Sequence, residues 1–192
     1  MNFIGEEAMI TIETVDISQL VEWLNEKDDK LRYNSLLLLE HLSEEYDDVY
    51  PFWDIFCEKL RSTNSYQRSI GVRLIAANVK WDRENKIDII IDDYLRILND
   101  EKPIMVRQCI KSLGKIVTYR TNLHNKVANG LIFIDIMSIK PTMRKLILTD
   151  ILNILLLIKK FCSSEEIDKY ITNALTGGLL DKKTIKQLEL ML

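Results

Sequence analysis

Residues 87–118, IDIIIDDYLRILNDEKPIMVRQCIKSLGKIVT, decide how this chain is read. Apolar side chains recur there at three- and four-residue spacings on both sides of a tight polar turn, the period of amphipathic helices and not of strands. Val106 and Arg107 stand near the start of the second helix. The stretch therefore predicts a helical hairpin whose two apolar stripes must be buried against something else.

The same unit recurs in both directions. Aligning second helices on one arginine gives LRYNSLLLLEHL around Arg32, QRSIGVRLIAAN around Arg68, VRQCIKSLGKIV around Arg107 and MRKLILTDILNI around Arg144, spaced by 36, 39 and 37 residues. A first helix precedes each, with apolar runs over 17–24, 50–60, 87–98 and 125–137. EEIDKYITNAL and KKTIKQLELML, on either side of Gly177 and Gly178, close the series. Six glycines and three prolines leave few breakers, so an all-α chain of about five helical pairs is expected. Residues 1–15 read as an irregular lead-in and 16–192 as one repeat domain.

Residues 97–116, ILNDEKPIMVRQCIKSLGKI, resemble a HEAT repeat: an acidic turn, a Val-Arg pair, then small and apolar residues at helical spacing. The resemblance implies a HEAT-like solenoid, a right-handed α-α superhelix with the second helices lining a concave face. In the other units Leu31, Gln67 and Met143 replace Val106, and the position six before the arginine holds Glu26, Ser62, Glu101 and Ser138. A continuous Asp-Arg ladder of the family's kind is therefore not expected.

Helical geometry sorts the second helices into faces. Val106, Ile110, Leu113, Gly114 and Val117 fall on the packed side, where Ser35 and Gly71 at the equivalent of Ile110 would allow close approach. The opposite side carries Ser69, Arg73, Lys80, Gln108, Lys111, Ser112, Lys115 and Tyr119. Leu36 and Leu37 occupy it in the first unit, and Leu148, Leu152 and Leu156 in the fourth. The net charge is only −3, from 26 basic and 29 acidic residues, yet the second helices collect basic residues while Glu44, Glu45, Asp47, Asp48, Asp54 and Glu58 face Lys59 alone. Such a basic layer suits an acidic peptide or a phosphate backbone, or else it is consumed in pairing between helices.

Chemistry is sparse. The sequence has no phosphate-binding glycine loop, nucleophile elbow, HExxH or CxxC. Cys57, Cys109 and Cys162 are too far apart for a disulfide framework or metal spacing, and read as reduced thiols of a cytoplasmic protein. His41 and His124 stand alone and read as solvated or cap-proximal. The acidic start MNFIGEE does not fit a signal peptide. Leu146–Ile158 falls short of the roughly 20 residues a membrane span requires, so no membrane partner is expected. No catalytic residue, metal ligand or cofactor is assigned. Asp150, at a packed position, needs a partner such as Arg107 or Arg144.

The expected function is a non-enzymatic interaction or scaffold module binding a protein or acidic peptide on the concave face through Tyr33, Arg73, Gln108, Lys111, Ser112, Lys115 and Lys145. The alternative is a nucleic-acid-binding protein that resembles the HEAT-like DNA glycosylases in architecture. ILTDILNILLLI in the fourth unit is apolar nearly all round and needs covering on more than one side. Either the C-terminal pair covers it or a second copy does, which makes Leu148, Leu152 and Leu156 a candidate homodimer surface.

Overall fold

Short polar side chains set where the helices begin. Asp16, Asp28, Asn64, Ser164 and Asp181 each accept a hydrogen bond from a backbone N–H of the first turn that follows. Pro103 and Pro141 open two more helices, at the position where a missing N–H leaves nothing unpaired. The computed structural model describes residues 16–192. Among these it contains ten α-helices and no strand: α1 (Ile17–Trp23), α2 (Asp29–Glu45), α3 (Trp53–Leu60), α4 (Ser65–Asn78), α5 (Lys86–Arg96), α6 (Pro103–Tyr119), α7 (His124–Ile132), α8 (Pro141–Lys159), α9 (Glu165–Thr176) and α10 (Lys182–Glu189). The all-α expectation holds, and the lead-in read over 1–15 lies outside the described residues.

Long and short helices alternate through α8. The helices α2, α4, α6 and α8 have 17, 14, 17 and 19 residues, whereas α1, α3, α5 and α7 have 7, 8, 11 and 9. The long ones pack side by side, with α4 between α2 and α6, and α6 between α4 and α8. The short α1 rests on α2, α3 on α4 and α7 on both α6 and α8, while α5 lies against α3 and meets α4 and α6 through Tyr94. One continuous core results, from Leu20 and Leu24 at one end through Trp53, Phe56 and Tyr94 to Ile167, Ile171 and Leu188 at the other.

Two turns carry left-handed backbone. Asn85, at φ 56°, turns the chain into α5 and accepts from Arg120 Nη1 at 2.7 Å. Gly178, at φ 77°, does the same between α9 and α10 with open space around it. The first helix expected over 125–137 is shorter than its apolar run. It ends at Ile132, and Asp135 then caps a separate 3-10 turn by accepting from Met137 N and Ser138 N.

Long-range polar contacts link residues one unit apart. Tyr50 Oη donates to Asp82 at 2.8 Å, Arg68 Nε to Asp100 at 2.7 Å, Asn78 Nδ2 to Ser43 Oγ at 3.0 Å and Lys126 to Asp92 at 2.8 Å, across separations of 32 to 35 residues. Three of the aligned arginines turn back onto the chain that leads into their helix. Arg32 donates to the carbonyl of Glu26, Arg68 to those of Ser62 and Thr63, and Arg144 to those of Met137 and Ile139. The position six before the arginine thus acts through its backbone carbonyl in two units, which explains why its side chain varies.

At Gly71 the helices α3 and α4 come too close for any side chain. A Cβ there would lie 2.7 Å from the carbonyl oxygen of Phe56 and 3.1 Å from the backbone N of Leu60. Because backbone, not a flexible side-chain end, meets the added methyl, G71A is expected to lower stability by about 1–3 kcal/mol in urea unfolding. An unchanged urea midpoint would show that α3 can move away at no cost.

Candidate functional site

The core of α6 covers more of the helix than one apolar face. Val106, Ile110, Leu113 and Val117 are buried as expected, but so are Met105, Cys109, Ser112 and Ile116. Burial by α4 on one side and α8 on the other leaves open along α6 a narrow strip of Ile104, the half-buried Gln108, Lys111, Lys115 and Tyr119, with Thr118 exposed beside it. The strip positions follow an i, i+4, i+7, i+11, i+15 spacing, a single line along a helix. Ile104 is 72% exposed and Tyr119 52%, large apolar groups that the fold itself leaves uncovered.

The seven residues expected to bind a partner do not form one cluster. Gln108, Lys111 and Lys115 share the strip, with Gln108 half-buried. Ser112 is buried, within hydrogen-bonding reach of Tyr94 and 3.4 Å from Gln108 Nε2, and does not belong to the surface. Its helical position points toward the seam that α4 closes. Tyr33 is exposed on α2. Arg73, on α4, is held by both oxygens of Glu40 on α2, with Nε–Oε1 at 2.8 Å. Lys145, on α8, is paired with Asp181 at the start of α10. Leu36, placed on the open face by helical geometry, is buried.

Ion pairing takes up most of the basic layer. Beside the two pairs just given, Lys80 donates to the backbone carbonyl of Glu44, and Lys115 Nζ lies 3.6 Å from Glu44 Oε1. Lys111 alone among the basic residues of the strip has no hydrogen-bond or ionic partner among the described residues. The pair Lys115–Glu44 joins α6 to α2 past the intervening α4, so side chains from alternate long helices meet on this side of the layer.

Asp150 has the partner expected of a buried carboxylate. It receives Arg107 Nε at 2.6 Å and Nη2 at 3.3 Å, a two-point contact that ties α6 to α8. The dimer expectation is corrected: Leu148, Leu152 and Leu156 are all buried within the chain, with α7, α9 and α10 packed on α8. A residual cavity of about 290 Å³ remains beside Leu148, lined also by Ile136, Tyr170, Asn173 and Leu179. Its walls are apolar, with no converging set of polar groups.

Two buried polar residues, Asp82 and Lys59, escaped the sequence reading. Asp82 is buried and accepts from Tyr50 Oη at 2.8 Å and from the backbone N–H groups of Lys86 and Ile87 at 2.9 Å, with Arg120 at 3.2 Å. An aspartate a few residues before an apolar helix is the signal that could have found it. Lys59, the one base counted with the acidic residues that precede it, is buried and donates to Asn25 Oδ1 at 2.7 Å and Gln67 Oε1 at 2.6 Å. Its spacing from Trp53 and Phe56, on one helical face, marked it for the inside. His124 opens α7, cap-proximal as expected, but is buried instead of solvated, with Nε2 2.7 Å from the carbonyl oxygen of Val117 and its ring 5.4 Å from that of Phe161.

No group of three His, Cys, Asp or Glu among the described residues is placed to hold a metal ion. No helix among them is long and apolar enough to cross a membrane. Burial pushes the thiol of Cys109 and the phenol of Tyr94 well up, and with Asp54 it raises the Cys57 thiol to about 11. These are poorly ionised, unreactive thiols. No protein-family model matches the chain, and no curated protein matches it either. Among solved structures, the crystal structure of an engineered protein is similar at 14% identity with a TM-score of 0.47, over 93% of this chain and 87% of that one.

Two measurements follow from these contacts. R107M should cost about 3–5 kcal/mol in urea unfolding by leaving the Asp150 carboxylate buried alone, while R107M with D150L should recover most of it. Equal losses in the single and double variants would mean that the charge is not what the site resists. The second concerns alkali: Cys57, Cys109, Tyr94 and Tyr50, the last also hydrogen-bonded to Asp82, all have raised folded values. Their contribution is complete below the unfolded values of about 8.5 for thiols and 10 for phenols, and is lost as pH rises through the folded ones. Lys59, lowered by burial, has the opposite sign and favours folding as pH rises toward about 10.5. With these four and Tyr170, also raised by burial, against Lys59, the urea midpoint should fall between pH 8 and about pH 10.5. A flat profile would show that these groups are not shielded.

Proposed function

We propose that this chain is a non-enzymatic interaction module, a HEAT-like right-handed superhelix of five helical pairs that binds a protein partner along the open strip of α6. The observation that carries the reading is the coincidence, on one line of one helix, of two large exposed apolar side chains, Ile104 and Tyr119, with the unpaired Lys111 and the loosely paired Lys115. Apolar anchors bring affinity once water is excluded, and flanking cations steer an acidic partner. In this reading the long helices are the inner layer and the arginines of the repeat are structural. They cap turns or pair across helices, as Arg107 does with Asp150.

A nucleic-acid partner is the second reading, favoured by the basic residues of the long helices. A phosphate track needs several uncommitted cations in a row, and Arg73, Lys80 and Lys145 are each held by a neighbouring helix. Aromatic platforms for unpaired bases are also scarce, with Tyr119 the exposed ring of the α6 strip.

Affinity capture from native cytosol with the wild type and with K111E/K115E tests the first reading. A protein retained by the wild type and lost by an equally folded double variant is expected. Duplex DNA titrated between low and moderate salt tests the second, since phosphate contacts would lose affinity steeply over that range.

A further inference from the structure

We infer that the α6 strip takes an extended acidic segment of about seven residues, with carboxylates two residues apart and an apolar residue at each end, and that Glu44 is an internal competitor for it. The inference rests on the interaction-module reading and adds the form of the partner. Fifteen residues separate Ile104 from Tyr119, which at 1.5 Å each makes the strip about 22 Å long. An extended chain covers that length in about seven residues at roughly 3.3 Å each. Its first, third, fifth and seventh side chains share one face.

Those four positions match the chemistry of the strip. Lys111 and Lys115, one helical turn apart, are separated by about 6 Å along the axis, close to the spacing of alternate side chains in an extended chain. The two lysines rise about 10 and 16 Å from Ile104 and so stand roughly 3 Å beyond the third and fifth residues, at about 7 and 13 Å, a gap that their flexible stems span to bring both ammonium groups to carboxylates there. Apolar residues at the first and seventh would cover Ile104 and Tyr119, the two large groups left in water.

One carboxylate is already there. Glu44 reaches Lys115 from α2, at 3.6 Å, and both side chains remain about half exposed. A pair that open and that long is worth little on its own and can be exchanged. Lys80 holds the same residue through its backbone carbonyl, so Glu44 stays in place when its side chain is changed.

Fluorescence anisotropy provides the test, with a fluorescein-labelled heptapeptide that has leucine first, glutamates third and fifth, phenylalanine seventh and serines between. Binding is expected for the wild type, a loss of more than tenfold for K111E/K115E, and a gain of about two- to fivefold for E44Q. A second peptide with glutamates third and fourth, which alternate to opposite faces, should bind several-fold more weakly. Unchanged thermal unfolding of E44Q confirms that its fold is intact. Equal binding of the two peptides overturns the extended register, and unchanged or weaker binding by E44Q overturns the competitor role. Failure of the first peptide while capture still depends on Lys111 and Lys115 overturns the segment but leaves the face standing. Failure of both removes the reading beneath it. Tighter binding of a twelve-residue oligothymidylate than of the peptide would assign the strip to phosphates instead.

Discussion

A helix of seven to eleven residues is not stable alone in water, and α1, α3, α5 and α7 all fall in that range. Each must lay its apolar side on a longer helix, and each longer helix must then find more cover than one short partner can give. The result is the side-by-side packing of α2, α4, α6 and α8, in which an interior helix is closed by neighbours on both flanks. Close approach at Gly71, where α3 meets α4 with no room for a Cβ, is the tightest expression of this dependence. No element of the middle of the chain buries its apolar surface by itself.

That packing decides what remains available for function. Once α4 and α8 flank α6, its free surface shrinks from half a helix to a single line of side chains. Charges on the same side are drawn into the same logic. Arg73 and Lys80 reach back to α2 and find Glu40 and the carbonyl of Glu44, and Lys145 reaches Asp181 at the start of α10. A basic layer counted along the sequence is thus a largely neutralised one in space, and Lys111 is conspicuous because it has nothing to reach.

Periodicity and spacing made the helices, their order and the unit of about 37 residues legible before any coordinates. Asp150 was legible too, because a lone carboxylate at a packed position demands a cation, and Arg107 is one unit away. The misses share a cause. Ser112, Leu36 and Leu148 were assigned to an open face by a two-faced view of helices that each pack on two or more neighbours. Helical angle fixes which residues point the same way but not how many other helices stand there. His124 opens α7, cap-proximal as its position indicates, yet it and Lys59 are buried, because a carbonyl or amide oxygen from elsewhere satisfies each nitrogen. Residues 125–137 were read as one helix because apolar spacing continues past Ile132, while the signal that ends it, the side chain of Asp135 turning onto Met137 and Ser138, is local and weak.

The contact between Lys115 and Glu44 connects these points. Two side chains from helices that are not immediate neighbours can meet only if the layer bends or if the helix between them is low at that level. Residues of α4 one turn before Lys80 are Ala76 and Ala77, both buried and the smallest side chains on that stretch. Lys80, which follows α4 directly, donates to the carbonyl of the same Glu44 whose carboxylate meets Lys115, so side chains of three consecutive units gather at this level. The arrangement leaves Lys115 half exposed beside a carboxylate that is itself open to water, so another carboxylate can take its place.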